Sequence, residues 1–336
     1  MKTVVVDADA LGRRRTGDET YVLNLLRELG ALAPADMRVV AVTRYPGLVP
    51  DGAEAYALAT RVQEARMAWS LPRALRAIGA DLCHTQYALP LRSPCPCVVT
   101  VHDVSFTHGD DLMSRKDRAV FRRVVPRAVK LARRVFTVSE RTKRDLVGLY
   151  TVPPEKVVVT PNGVDPVFSP GPGARDYVLA VGAIQARKNQ LAALEAARAV
   201  GLPLVVAGPE KDSSLAAELR RRGARIEGYV TTERLVELYR GAACLVQSSR
   251  YEGFGLPVVE AMACGTPVVG VADPALAEVA GEAAVIVDES ALADGIRRAL
   301  AERAHLVEAG LQRAGAFSWR ASAEMTLAVY REILET

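Results

Sequence analysis

No stretch of the chain approaches the run of about 20 apolar residues that a membrane-spanning helix requires, so a spanning protein is not expected. The apolar N-terminal stretch Met1-Lys2-Thr3-Val4-Val5-Val6-Asp7 is too short for a secretory signal and reads as a buried first strand. A cytoplasmic protein follows as the expectation. Cysteine is scarce, with five residues, Cys83, Cys95, Cys97, Cys244 and Cys264. Cys95-Pro96-Cys97 has a single residue between thiols, and no second Cys/His pair lies near it, whereas zinc sites use a longer spacer and four ligands. Reduced, buried thiols and no metal site are therefore expected. Low-complexity segments and short repeats are also missing. Net charge is small, +4, but unevenly spread. Through residue 170, 25 Lys and Arg stand against 18 Asp and Glu, and the remainder carries 18 against 21. A basic first half points to an anionic partner or surface.

What the chain does have is length and alternation. Its 336 residues favour two domains. Apolar, β-branched runs at 2–7, 38–43, 80–84, 97–101, 134–138 and 156–160 alternate with helical patterns at 18–30, 64–78, 115–133 and 140–149. Such βαβα order argues for an α/β fold with a parallel sheet covered on both faces. The Pro- and Gly-rich segment from Asp165 to Gly173 reads as a linker. A second alternation follows, with strands at 177–182, 203–207, 224–227, 243–247, 267–271 and 284–287. From Phe317 the tail is one amphipathic helix, with Ser318 as its candidate N-cap. The predicted division is 1–168, 175–316 and a helix over 317–336. Ligands of open parallel sheets bind beyond the carboxyl ends of the strands, so chemistry should sit on strand-to-helix loops. Two such sheets facing each other would form a cleft fed by loops from both.

The strongest motif runs from Ser249 to Val269 and includes Glu252-Gly253-Phe254-Gly255-Leu256-Pro257-Val258-Val259-Glu260. It follows a predicted strand and opens a helix. Gly253 and Gly255 allow backbone N–H groups to approach a ligand closely, and Pro257 suits a first helical turn. The positive end of that helix suits phosphate or a hydroxyl-rich sugar. Glu252 and Glu260, eight apart, can accept hydrogen bonds from two hydroxyl-bearing groups of one extended ligand. A second motif, Val181-Gly182-Ala183-Ile184-Gln185-Ala186-Arg187-Lys188-Asn189, sets two cations at a helix start, where cations are unfavourable. An anionic ligand would resolve that conflict.

The segment EGFGLPVVEAMACGTPVV resembles the signature of family 4 retaining glycosyltransferases, and the resemblance extends over nearly the whole chain. It implies the GT-B fold, two Rossmann-like domains with the C-terminal helix returning toward the first. It also implies that Glu252 and the backbone of Gly253, Phe254, Gly255 and Leu256 contact the donor sugar, and that Glu260 grips the ribose. Arg187 and Lys188 would bind the donor pyrophosphate and stabilise the leaving nucleotide. Many relatives carry Glu-Pro where this chain has Gln185-Ala186. Thr16-Gly17 resembles the family's glycine loop, so Gly17 is expected at the pyrophosphate. Asp18-Glu19 follows where relatives often have a second glycine. Arg13 to Arg15 either hold an anionic acceptor or are solvated. His102, after a predicted strand, corresponds to a histidine near the transferred sugar. Ser139 and Asn162 match segments at the cleft, with capping or turn duty as the alternative for each.

The implied reaction is metal-independent, retaining transfer of a hexose from a nucleotide-diphosphate sugar to a glycan or lipid-linked acceptor. GDP-mannose is the first donor expected, with UDP- or dTDP-hexoses as alternatives. A non-catalytic sugar-nucleotide or membrane-binding module of the same fold would lack Glu252, Glu260, Arg187 or Lys188, and all four are present. No cofactor and no nucleic-acid partner is expected. From Arg115 to Arg134, nine basic residues face one acid, Asp117, interleaved with apolar residues. That helix either rests on an anionic membrane or packs its apolar stripe on the sheet. Asp7-Ala8-Asp9 mimics a metal-binding DxD or a phosphatase nucleophile pair, but the partner segments of both are missing.

Overall fold

Valine and leucine runs that are buried on both faces can only be satisfied inside a covered sheet. In the computed structural model, which describes residues 1–13, 16–109 and 113–335, they build two parallel sheets. The first contains β1 (Lys2–Asp7), β2 (Met37–Thr43), β3 (Glu54–Ala57), β4 (Leu82–Gln86), β5 (Cys97–Val101), β6 (Val135–Thr137) and β7 (Val157–Val159). Its order is β3-β2-β1-β4-β5-β6-β7. The second contains β8 (Tyr177–Val181), β9 (Leu204–Ala207), β10 (Arg225–Gly228), β11 (Ala242–Gln247), β12 (Val268–Val271) and β13 (Val285–Val287). Its order, β10-β9-β8-β11-β12-β13, repeats the first six positions of the other sheet. In each sheet the strand order reverses once, between β1 and β4 and between β8 and β11. In open parallel sheets such reversals are where ligands bind.

The chain forms two compact units, Met1–Thr107 with Arg115–Gly163 and Trp319–Thr336, and His108–Ser114 with Val164–Ser318. The last helix, Trp319–Glu335, packs on the helix Thr16–Leu32 of the first unit, burying Trp319, Leu327 and Tyr330. The Pro/Gly segment after Asp165 is strapped to the second unit, since Arg240 donates to the Ser169 carbonyl at 2.8 Å and to its hydroxyl at 2.9 Å. All five cysteines are free; four are buried and Cys95 is half-buried.

Three elements depart from the sequence expectation. β3 was not anticipated, because Glu54-Ala55-Tyr56-Ala57 is a mostly exposed edge strand with no apolar run. The predicted strand 80–84 starts later, at Leu82, because Gly79 caps the preceding helix at φ +73° and Ala80 N–H still bonds back to Leu75. The predicted helix 64–78 is interrupted by a π-turn over Arg66–Ser70. Pro72 sits in the first turn of the following Leu71–Ile78 helix and has no N–H for the carbonyl four residues back, which favours the widened turn.

Candidate functional site

In the second unit the loops leaving β8 and β11 meet at the reversal of strand order. After β8, Ala186–Lys188 forms a single 3-10 turn and Asn189 turns left-handed at φ +50° before the helix Gln190–Ala199. Arg187 and Lys188 therefore stand in a turn before the helix rather than on its first residues. The β11 loop is stitched to this turn. Arg250 N–H donates to the Arg187 carbonyl at 2.9 Å, and the Ser248 hydroxyl to the Lys188 carbonyl at 2.9 Å. Arg187 Nη1 donates to the Tyr251 carbonyl at 2.6 Å. Both cations converge on one carboxylate, with Lys188 Nζ 2.5 Å from Glu252 Oε1 and Arg187 Nη1 3.6 Å from Oε2. Gln247 Nε2 donates to the same Oε1 at 2.6 Å. Glu252 is only 5% exposed. Burial alone would raise its pKa, but the charges of Lys188 and then Arg187 outweigh that and hold it at about 2.

Beyond Glu252 the chain turns through Gly255 at φ +97°, where an added Cβ would lie 2.8 Å from Leu276 Cδ2. Gly255 is the N-cap of the helix Leu256–Ala263, and no side chain caps it. Its first-turn N–H groups thus carry the helix's positive end without a side-chain acceptor. Phe254 is buried and packs edge-on against Phe317. Glu260 is 7% exposed. Its Oε2 accepts from the Tyr239 hydroxyl at 2.7 Å, while Oε1 takes no hydrogen bond among the described residues. Burial pushes its pKa up to about 7; the Tyr239 hydrogen bond opposes the rise and the Asp165 charge adds to it. One motif thus holds two buried glutamates whose pKa values are shifted in opposite directions.

The first unit carries the remaining predicted residues. His102 follows β5, and its Nε2–H donates to Gln86 Oε1 at 3.0 Å, leaving Nδ1 as an acceptor. The Tyr21 ring packs edge-on against it at 4.6 Å. Desolvation lowers the His102 pKa, with Asp18 and Asp103 pulling the other way. Gly17 lies in the first turn of the helix Thr16–Leu32, and the left-handed glycine of this loop is instead Gly12, at φ +69°. Ser139 is fully buried and caps the helix Glu140–Tyr150 through Thr142 N–H, the structural duty open to it. Asn162 is buried after β7, with an Oδ1 that accepts no hydrogen bond. Arg13 donates to Asp9 at 2.7 Å, and Arg14 and Arg15 lie outside the described residues. Asp7 and Asp9 are both tied to arginines, as befits ion-pair partners rather than a DxD metal motif. Among the described residues no three His, Cys, Asp or Glu are grouped to hold a metal ion.

Sequence inspection did not single out Gln247, Ser248, Tyr239 or Gln86. Each is an ordinary polar residue within or beside a regular element. The partner is 60 residues away for Ser248, 21 for Tyr239 and 16 for Gln86, whereas Gln247 meets Glu252 only five residues on, across the loop. Only the polar Gln247-Ser248-Ser249 run at the end of an otherwise apolar strand offered a signal.

The chain is similar to known proteins along most of its length. The chain matches the family descriptions Glycosyltransferase Family 4 over residues 15–168 and Glycosyl transferases group 1 over residues 167–313. It is 32% identical over 302 residues to D-inositol 3-phosphate glycosyltransferase of Acidothermus cellulolyticus, covering 76% of this chain and 67% of that protein. It is 28% identical over 265 residues to O-antigen chain mannosyltransferase B of Escherichia coli, covering 70% of each. Solved glycosyltransferase structures share its fold. The Anabaena protein Alr3699/HepE, solved in complex with UDP and glucose, superposes with a TM-score of 0.77 at 16% identity, covering 99% of this chain and 100% of that one. By its relatives, its motifs and its two parallel sheets, the chain belongs to the family 4 glycosyltransferases and has the GT-B fold.

Proposed function

We propose that this glycosyltransferase moves a hexose, mannose in the first instance, from a nucleotide-diphosphate sugar to a hydroxyl of a glycan or lipid-linked acceptor, with retention and without a metal. The observation that carries the proposal is the convergence of Arg187 and Lys188 on the buried, ionised Glu252 at the carboxyl ends of β8 and β11. Two fixed cations beside an uncapped helix N-terminus form a preorganised field for a departing diphosphate. They supply the charge stabilisation that a metal ion provides in other transferases. Glu260 Oε1 is an open acceptor for a ribose hydroxyl, and Glu252 with the backbone of 253–256 orients the hexose. As the sugar–phosphate bond breaks, the acceptor oxygen bonds to the same face of the anomeric carbon and its proton passes to the leaving phosphate. Mannose as the sugar is supported by the name of the Escherichia coli relative, and UDP as an alternative carrier by the ligand of the Anabaena structure.

The first unit is the acceptor side, with His102 Nδ1 available to a sugar hydroxyl. No helix among the described residues is long and apolar enough to cross a membrane. The helix Arg115–Leu131 leaves Arg115, Lys116, Arg122 and Arg123 exposed beside Val120, which supports cytoplasmic, peripheral contact with an anionic membrane. A thermal-shift screen of GDP, UDP and dTDP with their sugars tests the donor, because a ligand specific to the folded state raises the melting temperature. No shift with any nucleotide would overturn the reading. Activity should persist in EDTA, and reversible loss restored by magnesium or manganese would refute the metal-free mechanism.

A further inference from the structure

We propose that the first unit contains a phosphate-binding subsite at the carboxyl ends of β1 and β2, formed by Arg44 and backed by Arg66, which receives a phosphoryl group on the acceptor. This deepens the acceptor-side reading of that unit. β1 ends at Asp7 with Asp9 two residues on, and Arg44 directly follows β2. Asp9 Oδ1 accepts from Arg44 Nε at 2.8 Å and lies 3.9 Å from Arg66 Nη1. Asp9 Oδ2 accepts from Arg13 at 2.7 Å. Arg66 Nη2 donates to Asp7 and, at 2.9 Å, to the Val42 carbonyl. Three guanidiniums therefore meet two carboxylates.

Two of these arginines are under-used. Arg66 is wholly buried, yet its Nε and Nη1 donate to nothing. Its charge is met by Asp7 and Asp9, but two unmade hydrogen bonds on a buried guanidinium are a cost to the fold. Arg44 donates Nε to Asp9 and lies over the Tyr45 ring, 5.7 Å from its centre; its two terminal nitrogens make no hydrogen bond among the described residues, and its side chain is 15% exposed. Those paired N–H groups form the fork that matches two phosphate oxygens, a geometry lysine does not offer. Asp9 holds the Arg44 fork in place, and with Arg66 paired to Asp7 the three guanidiniums leave the cluster one positive charge in excess of its two carboxylates. Arg66 also opens the π-turn Arg66–Ser70, an irregularity that recurs at functional positions. The place itself, beyond the carboxyl ends of a parallel sheet beside its reversal of strand order, is where such folds bind ligands.

The test uses inorganic phosphate and calorimetry on the full chain. An Arg187→Ala, Lys188→Ala double variant removes the cations assigned to the donor diphosphate. Phosphate binding should survive in it. It should weaken about tenfold or more when Arg44→Gln is added, the scale of one lost charge-assisted contact. Arg44→Lys keeps the ion pair with Asp9 but loses the fork, and should also weaken phosphate in this background; it guards against a folding defect in the glutamine variant. Acetate should bind more weakly than phosphate throughout. Absence of phosphate binding in the double variant, unchanged binding after both Arg44 substitutions, or acetate binding equal to phosphate would each overturn the subsite. Failure of the donor reading has a different signature: undiminished nucleotide-diphosphate binding by the double variant.

Discussion

Lys188 reaches Glu252 through a buried ammonium–carboxylate contact, and that contact sets what both partners can do before a ligand arrives. Removing either cation should cost on the order of 1.5–3 kcal/mol of transition-state stabilisation, about 10- to 150-fold in turnover. Lys188→Ala leaves Glu252 with Arg187 and Gln247, so the variant should fold; steady-state rates beside a thermal melt check both halves, and wild-type turnover in Arg187→Ala and Lys188→Ala would remove their role. Because Glu252 neutralises the cations that a diphosphate would use, Glu252→Gln should bind the bare nucleotide diphosphate more tightly while transferring sugar more slowly. Calorimetry showing weaker diphosphate binding in that variant would contradict the assignment. The two glutamates also differ in pH response. Glu252 falls from 4.5 to about 2, so the folded state binds fewer protons; its stabilisation is complete above pH 4.5 and is lost as pH falls toward 2. Glu260 rises from 4.5 to about 7, so the folded state binds more protons; its contribution is complete below pH 4.5 and is lost as pH rises through 7. A carboxylate accepts two ribose hydroxyls better than a carboxylic acid does, so nucleotide affinity should increase through pH 7. That increase should flatten in Glu260→Gln, and identical profiles in the two proteins would rule Glu260 out as the titrating group.

At the scale of elements, the turn at Gly255 links the loop to the helix that supplies its positive end. Gly255→Ala would force a side chain into φ +97° and against Leu276, costing about 1–2 kcal/mol for the backbone alone. A lower melting temperature together with weaker donor binding is expected; unchanged donor binding would mean the helix end is not part of the site. Strands buried on both faces announce themselves as apolar runs, which is why β1, β2, β5, β8, β9, β11 and β12 are legible in the sequence. β3 was not, since an exposed edge strand needs no apolar run. The π-turn was hidden as well, because widening one turn leaves the helical periodicity on either side intact. In the site, Arg187, Lys188, Glu252 and Glu260 were legible because their motif is contiguous. Tyr239 and the Arg44–Asp9–Arg66 cluster were not, because those side chains meet only through the pairing of strands and helices remote in the chain, and Gln247, five residues before Glu252, was hidden because its role depends on how the loop folds back on the end of its strand.

For the whole molecule, the decisive feature is that residues 319–335 belong to the unit that begins at Met1. Tyr330 hydrogen-bonds His84 Nδ1 at 2.5 Å, and His84 Nε2 in turn bonds the Thr100 hydroxyl at 2.7 Å, with all three side chains buried. Truncation at Ser318 should therefore expose Tyr21 and the adjacent helix Thr16–Leu32, and lower amide protection across the first sheet while sparing the second. Equal protection in both sheets of the truncated chain would refute this dependence. Synthesis gives the same arrangement a temporal meaning. The ribosome delivers the first unit's sheet early and its closing helix only after every residue of the second unit has emerged. The half that is made first is thus the half that finishes last, and it must wait at roughly 5–20 residues per second with an uncovered apolar groove. Nascent chains stalled before Trp319 should recruit chaperones to the N-terminal half and release them once Tyr330 has cleared the exit tunnel.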